Sequence, residues 1–195
     1  MADVKIAVHG EAVKRKNGWT ASPNTCLVRD SGKTVIVDPG NHPELLEILE
    51  MSSIWPEEID VVFLTHYHLD HTLNTSLFKY AEVVDSRWRY NACDIIEHDG
   101  YIMDTDLRII PTPGHSPDCS SLILDTDEGI TAVCGDLFWF KKEFKNDLGV
   151  DELMDLKDEL AFHPHMLRES RKRILEMADR VIPGHGRPFR VPRYQ

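Results

Sequence analysis

Nowhere do the 195 residues hold a run of about 18 consecutive apolar side chains, so no helix of this chain is expected to cross a membrane. Positive charge is also short. Twenty-two Lys and Arg stand against 33 Asp and Glu, a formal net charge of −11. Phosphate contacts need positive surface, so this balance argues against extended nucleic-acid binding and against an anionic membrane surface. Cysteine is scarce: Cys26, Cys93, Cys119 and Cys134 are far apart, with no Cys-x-x-Cys pair. Such dispersed thiols read as reduced and mostly buried, in a cytoplasmic protein. The opening Met1-Ala2-Asp3-Val4-Lys5 has no apolar stretch of signal-peptide type. Internal repeats, low-complexity tracts and linker-like composition are absent as well. What is there, 42% apolar and 28% charged residues, is the profile of one globular domain over 1–195 with a real core.

The first third reads as strands. Val4–Val13 and Asn24–Val37 are rich in β-branched residues, the second run broken by the turn Asp30-Ser31-Gly32-Lys33. Asp38-Pro39-Gly40 ends that strand abruptly, because Pro39 cannot donate to a ladder. Pro43–Met51 is expected as a short helix with Leu45, Leu46 and Leu49 on one face. Asp60 to Thr65 reads as a fully buried strand, and a helix is expected from near Thr72. Further strands fit Ala81–Asp85, Leu107–Thr112 and the hairpin Ser120–Asp125 with Gly129–Val133. Asp151–Ala161 and Pro164–Ala178 look helical, and Val181-Ile182 forms a last short strand. Two groups of strands with interspersed helices predict a layered α/β sandwich.

Five of the ten histidines fall where strands should end. His66-Tyr67-His68-Leu69-Asp70-His71 packs three imidazoles and one carboxylate into six residues. On an extended strand His66 and His68 share one face, since the side-chain period is two. As the chain turns into a helix, Asp70 and His71 point at a second position beside the first. Imidazole and carboxylate suit zinc and other borderline divalent metals. Two more histidines end Gly-containing turns, Pro113-Gly114-His115 and Pro183-Gly184-His185-Gly186, where glycine permits close backbone approach. Cys134-Gly135-Asp136 follows a strand in the same style. Taken singly, His115 and His185 are equally loop histidines, and Asp136 is a turn residue or cap.

Together the motifs Thr65-His-Tyr-His-Leu-Asp-His71, Thr112-Pro-Gly-His115, Cys134-Gly-Asp136 and Pro183-Gly-His-Gly186 resemble the metallo-β-lactamase superfamily, in the order that family uses them. Asp38-Pro39-Gly40 is similar to the family's early Asp-x-Gly turn. The resemblance implies a four-layer αββα sandwich in a single domain, with metals at one edge. It implies that His66, His68 and His115 hold a first metal, Asp70, His71 and His185 a second, and that Asp136 bridges them. The cofactor expected is two divalent ions, zinc ahead of iron or manganese. True β-lactamases carry cysteine where this chain has Asp136, and the flavodiiron branch carries glutamate in place of His68. Glyoxalase II, lactonases and the superfamily's nucleases keep all seven, as this chain does, and within the superfamily the chain resembles the glyoxalase-II-like branch. Relatives there have glycine where this chain has Leu73.

The expected chemistry is hydrolysis of a small ester, thioester or similar anionic substrate by a metal-bridging hydroxide. Asp70 and Asp136 are the catalytic carboxylates, balancing charge and orienting the water. Alternatives are a metal-dependent phosphodiesterase or ribonuclease of the same fold, and a mononuclear iron persulfide dioxygenase. Asp38 either orients a histidine or forms a turn. His163 and His165 are candidates to protonate a leaving group, and Arg171-Lys172-Arg173 either binds an anionic group or forms a solvated helix face. Specificity is expected from the loops 20–24, 87–99 and 138–151. Trp19, Trp88, Trp139 and Phe140 either wall a pocket or pack the core. Residues 168–195 hold eight Lys and Arg against three Asp and Glu. That local surplus is compatible with a small anionic substrate and with local RNA contact; the sequence leaves oligomeric state open.

Overall fold

Short apolar strands give this chain two sheets that share one core, in a computed structural model that describes residues 1–142 and 148–193. In chain order the strands are β1 (Asp3–Val8), β2 (Glu11–Arg15), β3 (Gly18–Ser22), β4 (Thr25–Asp30), β5 (Lys33–Val37), β6 (Val61–Phe63) and β7 (Glu82–Val84). They continue as β8 (Trp88–Asn91), β9 (Asp94–Glu97), β10 (Arg108–Pro111), β11 (Ser120–Thr126), β12 (Gly129–Val133), β13 (Arg180–Ile182) and β14 (Phe189–Arg190). The helices are α1 (Leu45–Met51), α2 (Leu69–Thr72), α3 (Val150–Met154) and α4 (Pro164–Met177). A seven-stranded sheet runs β1-β4-β5-β6-β7-β8-β9, a five-stranded sheet runs β10-β11-β12-β13-β14, and β2 with β3 forms a separate hairpin.

The period of two sorts the side chains into layers. Val35, Val37, Val61 and Phe63 face inward and meet Leu122, Leu124 and Val133 of the other sheet. Ile36 and Val62, one residue out of step, point the other way and pack under Leu45 and Leu49 of α1. On the far side Ile123 and Ala132 meet Leu167, Ile174 and Leu175 of α4. Helix, sheet, sheet and helix therefore stack as the expected αββα arrangement in one domain. The turn at Ser31 and Gly32 has positive φ at both positions (50° and 82°), as a two-residue hairpin with right-handed twist demands.

Strand direction decides where chemistry collects. β5 and β6 run parallel, β12 and β13 run parallel, and β10 runs antiparallel to β11, itself antiparallel to β12. The C-terminal ends of β5, β6, β10, β12 and β13 lie on one edge of the sandwich, and each opens into a loop carrying His or Asp.

Four expectations change. The run Val4–Val13 is two strands, because the chain turns at His9-Gly10, where a Cβ on Gly10 would lie 2.3 Å from the Asn24 nitrogen. β2 leaves the sheet there and pairs with β3. The helix expected near Thr72 begins at Leu69 and is a single turn. The segment 87–99 is no open loop: it is built on the hairpin β8-β9, which widens the large sheet beyond β7. The helix expected over Asp151–Ala161 stops at Met154, because the Arg171 guanidinium takes the carbonyls of Met154 and Leu156. Of the segment 138–151, residues 143–147 lie outside the described part.

Candidate metal centre

The loop after β6 is extended through His66 and His68 and then coils into α2. This gives two adjacent faces of donors. The donor atoms of His66, His68, His115 and Asp136 lie within 4.8 Å of one another, and so do those of Asp70, His71 and His185. Asp136 touches both groups. Its Oδ1 is 3.4 Å from Nε2 of His71 and of His185, and its Oδ2 is 3.4 Å from Nε2 of His115. All seven residues singled out in the sequence thus meet at the strand ends. His66, His71, His115, Asp136 and His185 are buried, while His68 and Asp70 are partly open.

A second ring of groups holds the imidazoles by their outer nitrogens. A carboxylate or carbonyl only accepts, so the imidazole nitrogen facing it carries the proton and the other nitrogen is turned to the centre. Asp38 Oδ2 accepts from His71 Nδ1 (2.8 Å), Asp158 Oδ2 from His115 Nδ1 (2.7 Å), and the Ser22 carbonyl from His185 Nδ1 (2.7 Å). His66 is reached through a relay. The Thr65 hydroxyl donates to Asp38 Oδ2 at 2.7 Å, which leaves its lone pair for His66 Nδ1 at 3.1 Å. Asp38 therefore orients two imidazoles, and it also forms the turn, with φ of 47°. Asn24 fixes the last turn, donating through Nδ2 to the carbonyls of Pro183 and Gly186.

Burial, which disfavours charge, holds His66 well below the usual histidine range, leaving a neutral ring. Burial also lowers His68. For His71 burial is outweighed by Asp38 and Asp136, which hold it well above that range. His185 goes the same way, to about 9, because Asp136 and Asp70 overcome its burial. Burial would raise Asp136, but His185 and His71 keep it well below the carboxylate range.

The donor set fits divalent ions. His66 Nε2 and Asp136 Oδ1 are buried without a hydrogen-bond partner, a costly arrangement unless a further group is bound. The imidazole pairs His68–His115 and His71–His185 bring nitrogens to 3.1 and 3.4 Å. Zinc–nitrogen bonds of about 2.0–2.1 Å in a tetrahedron separate ligand nitrogens by about 3.3–3.4 Å.

A cavity of about 310 Å³ meets the cluster at His68, Asp70, Asp136 and His185. Its walls are Trp19, Trp139 and Leu160, the two indoles edge to face at 5.5 Å, with Ala12, Ala21 and Asn41 beside them. Larger clefts, of about 380, 600 and 800 Å³, contain none of the seven residues. Of the four aromatics named from the sequence, Trp19 and Trp139 line the cavity. Trp88 stacks under Arg87, and Phe140 is buried against Phe189. His163 caps α4, accepting from the Met166 nitrogen, and neither it nor His165 reaches the cavity. Arg171 is buried with Nε and Nη1 on carbonyls, Lys172 and Arg173 are exposed, and none of the three lines the cavity. Asp158 and Asn24 had no sequence signal, each a lone polar residue far along the chain from the group it serves, while Thr65 opens the quoted motif but was given no role there.

Residues 19–104 match the family model of the metallo-beta-lactamase superfamily. The chain is 37% identical over 169 residues to metallo-beta-lactamase domain-containing protein 1 of Xenopus laevis, covering 81% of this chain and 68% of that one. Against the mammalian proteins of that name the matched region spans 60–64% of their length, less than two thirds. A metallo-beta-lactamase structure from Thermotoga maritima superimposes with a TM-score of 0.72 at 19% identity, over 97% of this chain and 99% of that one. AidC, a dizinc quorum-quenching lactonase, gives 0.63 at 16% identity, over 88% and 75%. The chain belongs to the metallo-beta-lactamase superfamily and carries a cluster of residues able to hold metal.

Proposed function

We propose that this chain is a dinuclear, zinc-dependent hydrolase of a small ester, thioester or similar anionic substrate, with 1–195 as one catalytic domain. His66, His68 and His115 would hold one ion and Asp70, His71 and His185 the other, with Asp136 between the two groups. The observation that carries this reading is the placement of Asp136, whose two carboxylate oxygens each stand 3.4 Å from an imidazole of a different group. Two ions bound there supply a water acidic enough to attack at neutral pH and a Lewis acid for the substrate oxygen.

The chain's own residues do the rest. Asp38, Asp158 and the Ser22 carbonyl keep the imidazole lone pairs turned inward. Asp70 and Asp136 orient the attacking water. Asp70 is the more open of the two, with 28% of its side chain exposed, and faces His185 Nε2 at 3.4 Å. Trp19 and Trp139 exclude bulk water from the neighbouring cavity and hold the apolar part of the substrate.

Metal quantification joined to a panel of thioester, lactone, phosphodiester and RNA substrates tests this. Two zinc ions per chain with ester or thioester turnover supports it. One iron per chain with oxygen-consuming turnover of a persulfide replaces it with the dioxygenase, and cleavage of only phosphodiesters or RNA with the nuclease. No helix among the described residues is long and apolar enough to cross a membrane. The four free thiols support a reducing, cytoplasmic setting.

A further inference from the structure

The hairpin β2-β3 presents one face to the cavity, and the register fixes what stands on it. Ala12 pairs with Ala21 and Lys14 pairs with Trp19. Ala12, Ala21 and Trp19 line the cavity, and Lys14, two residues from Ala12, lies on the same face toward the hairpin tip. Lys141 comes from the segment after β12 and is bridged to Ala12. Both ammonium groups lie 5.4 Å from the centroid of the Trp19 ring, whose π-face attracts cations. Among the described residues one carboxylate serves both: Glu159 takes Lys14 Nζ through Oε2 at 3.0 Å and Lys141 Nζ through Oε1 at 3.3 Å.

Glu159 sits between two residues that already belong to the site, Asp158 on His115 and Leu160 in the cavity wall. The lysine pair is therefore tied to the same short segment that shapes the metal centre and the pocket. Two cations against one anion leave the rim a net +1, and the exposed fractions of the three side chains (59%, 39% and 34%) keep them open to solvent. From the cluster outward the site runs from carboxylates and imidazoles, through an apolar waist of two indoles and Leu160, to a cationic rim.

We infer that Lys14 and Lys141 recognise an anionic group at the far end of the substrate, and that Glu159 is the internal carboxylate it displaces. The substrate class is then an ester or thioester with a short apolar spacer and a terminal carboxylate. The cationic edge of the site comes from these two lysines and not from α4. This rests on the hydrolase reading for the identity of the reacting group, but the binding of the tail is a property of the rim alone.

Two matched p-nitrophenyl esters test it in the metal-loaded full chain: the monoester of glutaric acid and the pentanoate ester. The ratio of their kcat/KM values is expected to favour the glutarate monoester. That ratio falls about tenfold in the double variant Lys14→Met/Lys141→Met and is recovered by Lys14→Arg/Lys141→Arg. Glu159→Gln raises it about threefold, since the internal competitor is gone. A ratio that stays the same in both the Met and Gln variants overturns the inference. Calorimetry with the corresponding anilides, which resist turnover, provides a second arm. Tighter binding of the carboxylate-bearing anilide, lost in the Met double variant, upholds the rim even if no ester is cleaved, in which case the hydrolase reading fails alone. Equal binding of the two anilides overturns the rim.

Discussion

Asp158 Oδ2 accepts the Nδ1 proton of His115 at 2.7 Å across 43 positions of chain, and both side chains are buried. The contact fixes the tautomer and tilt of an imidazole whose Nε2 faces Asp136. Asp158→Asn keeps the shape and an acceptor oxygen but removes the charge that strengthens the bond. Outer partners of this kind are worth about 10–100-fold in metal affinity. Metal retention against a graded chelator is expected to fall by that amount, with the fold unchanged by circular dichroism. Wild-type retention would show that Asp158 has no part in orienting His115.

How the sequence reveals the centre but not its supports follows from this pair. The seven donors sit in local patterns: three imidazoles within six residues, and Gly-His or Gly-Asp turns directly after apolar strands. Asp158 has no such pattern. It reaches His115 because the chain leaves α3 at Met154, and that exit depends on Arg171, a residue indistinguishable in sequence from the exposed Lys172 and Arg173 beside it. The layers were legible for the opposite reason, since β5, β6 and β11 carry unbroken apolar runs, as strands covered on both faces do. The hairpin β8-β9 was not, because its strands are four residues long and carry charged, half-exposed side chains.

Among the described residues Asp136 is the one carboxylate whose oxygens face imidazoles of both donor groups. Asp136→Ala is expected to abolish turnover and to lower bound metal, with affinity down by more than about a hundredfold, beyond what outer partners contribute. Metal analysis after gel filtration, alongside ester turnover, checks this. Full activity with unchanged metal content would remove Asp136 from the site.

Arg171 is 2% exposed and donates to the carbonyls of Leu137, Met154 and Leu156. Arg171→Met leaves those carbonyls without their donor and is expected to cost about 2–4 kcal/mol in urea unfolding. It also frees residues 155–162, which should gain hydrogen exchange and weaken metal retention through Asp158. Lys172→Ala and Arg173→Ala, on the exposed side of α4, should stay within about 0.5 kcal/mol of wild type. Equal effects at all three positions would refute the distinction.

Of the four free thiols Cys93 is exposed and the other three are buried. Burial pushes Cys119 and Cys134 up to about 12 and raises Cys26 as well. At pH 8 one thiol per native chain is expected to react with a disulfide reagent, and four after denaturation. An unfolded thiol ionises near 8.5. The buried thiols therefore favour the folded state fully below that pH, and their contribution is lost as pH climbs from about 8.5 toward 12. The decline is about 1.4 kcal/mol per pH unit for each thiol. Cys134→Ala should flatten the alkaline limb of the stability curve, and an identical limb would contradict the assignment.

Gly184 packs without a side chain against the carboxylate of Asp136. A Cβ there would fall 1.9 Å from Asp136 Oδ1 and 2.8 Å from the Gly135 carbonyl carbon. The backbone cannot move aside, because Gly184 donates to the carbonyls of Gly135 and Phe138, while its own carbonyl accepts from Asn24. Gly184→Ala therefore has to displace Asp136, and with it the oxygen that faces His71 and His185. Loss of bound metal and turnover is expected while the sheets, whose cores lie on the other side of the strand ends, retain their circular dichroism. Gly149→Ala is the contrast, since a Cβ there meets only the Glu152 carboxylate at an ordinary 3.6 Å. If Gly184→Ala binds as much metal as Gly149→Ala, close approach is not what the Gly-His turn is for.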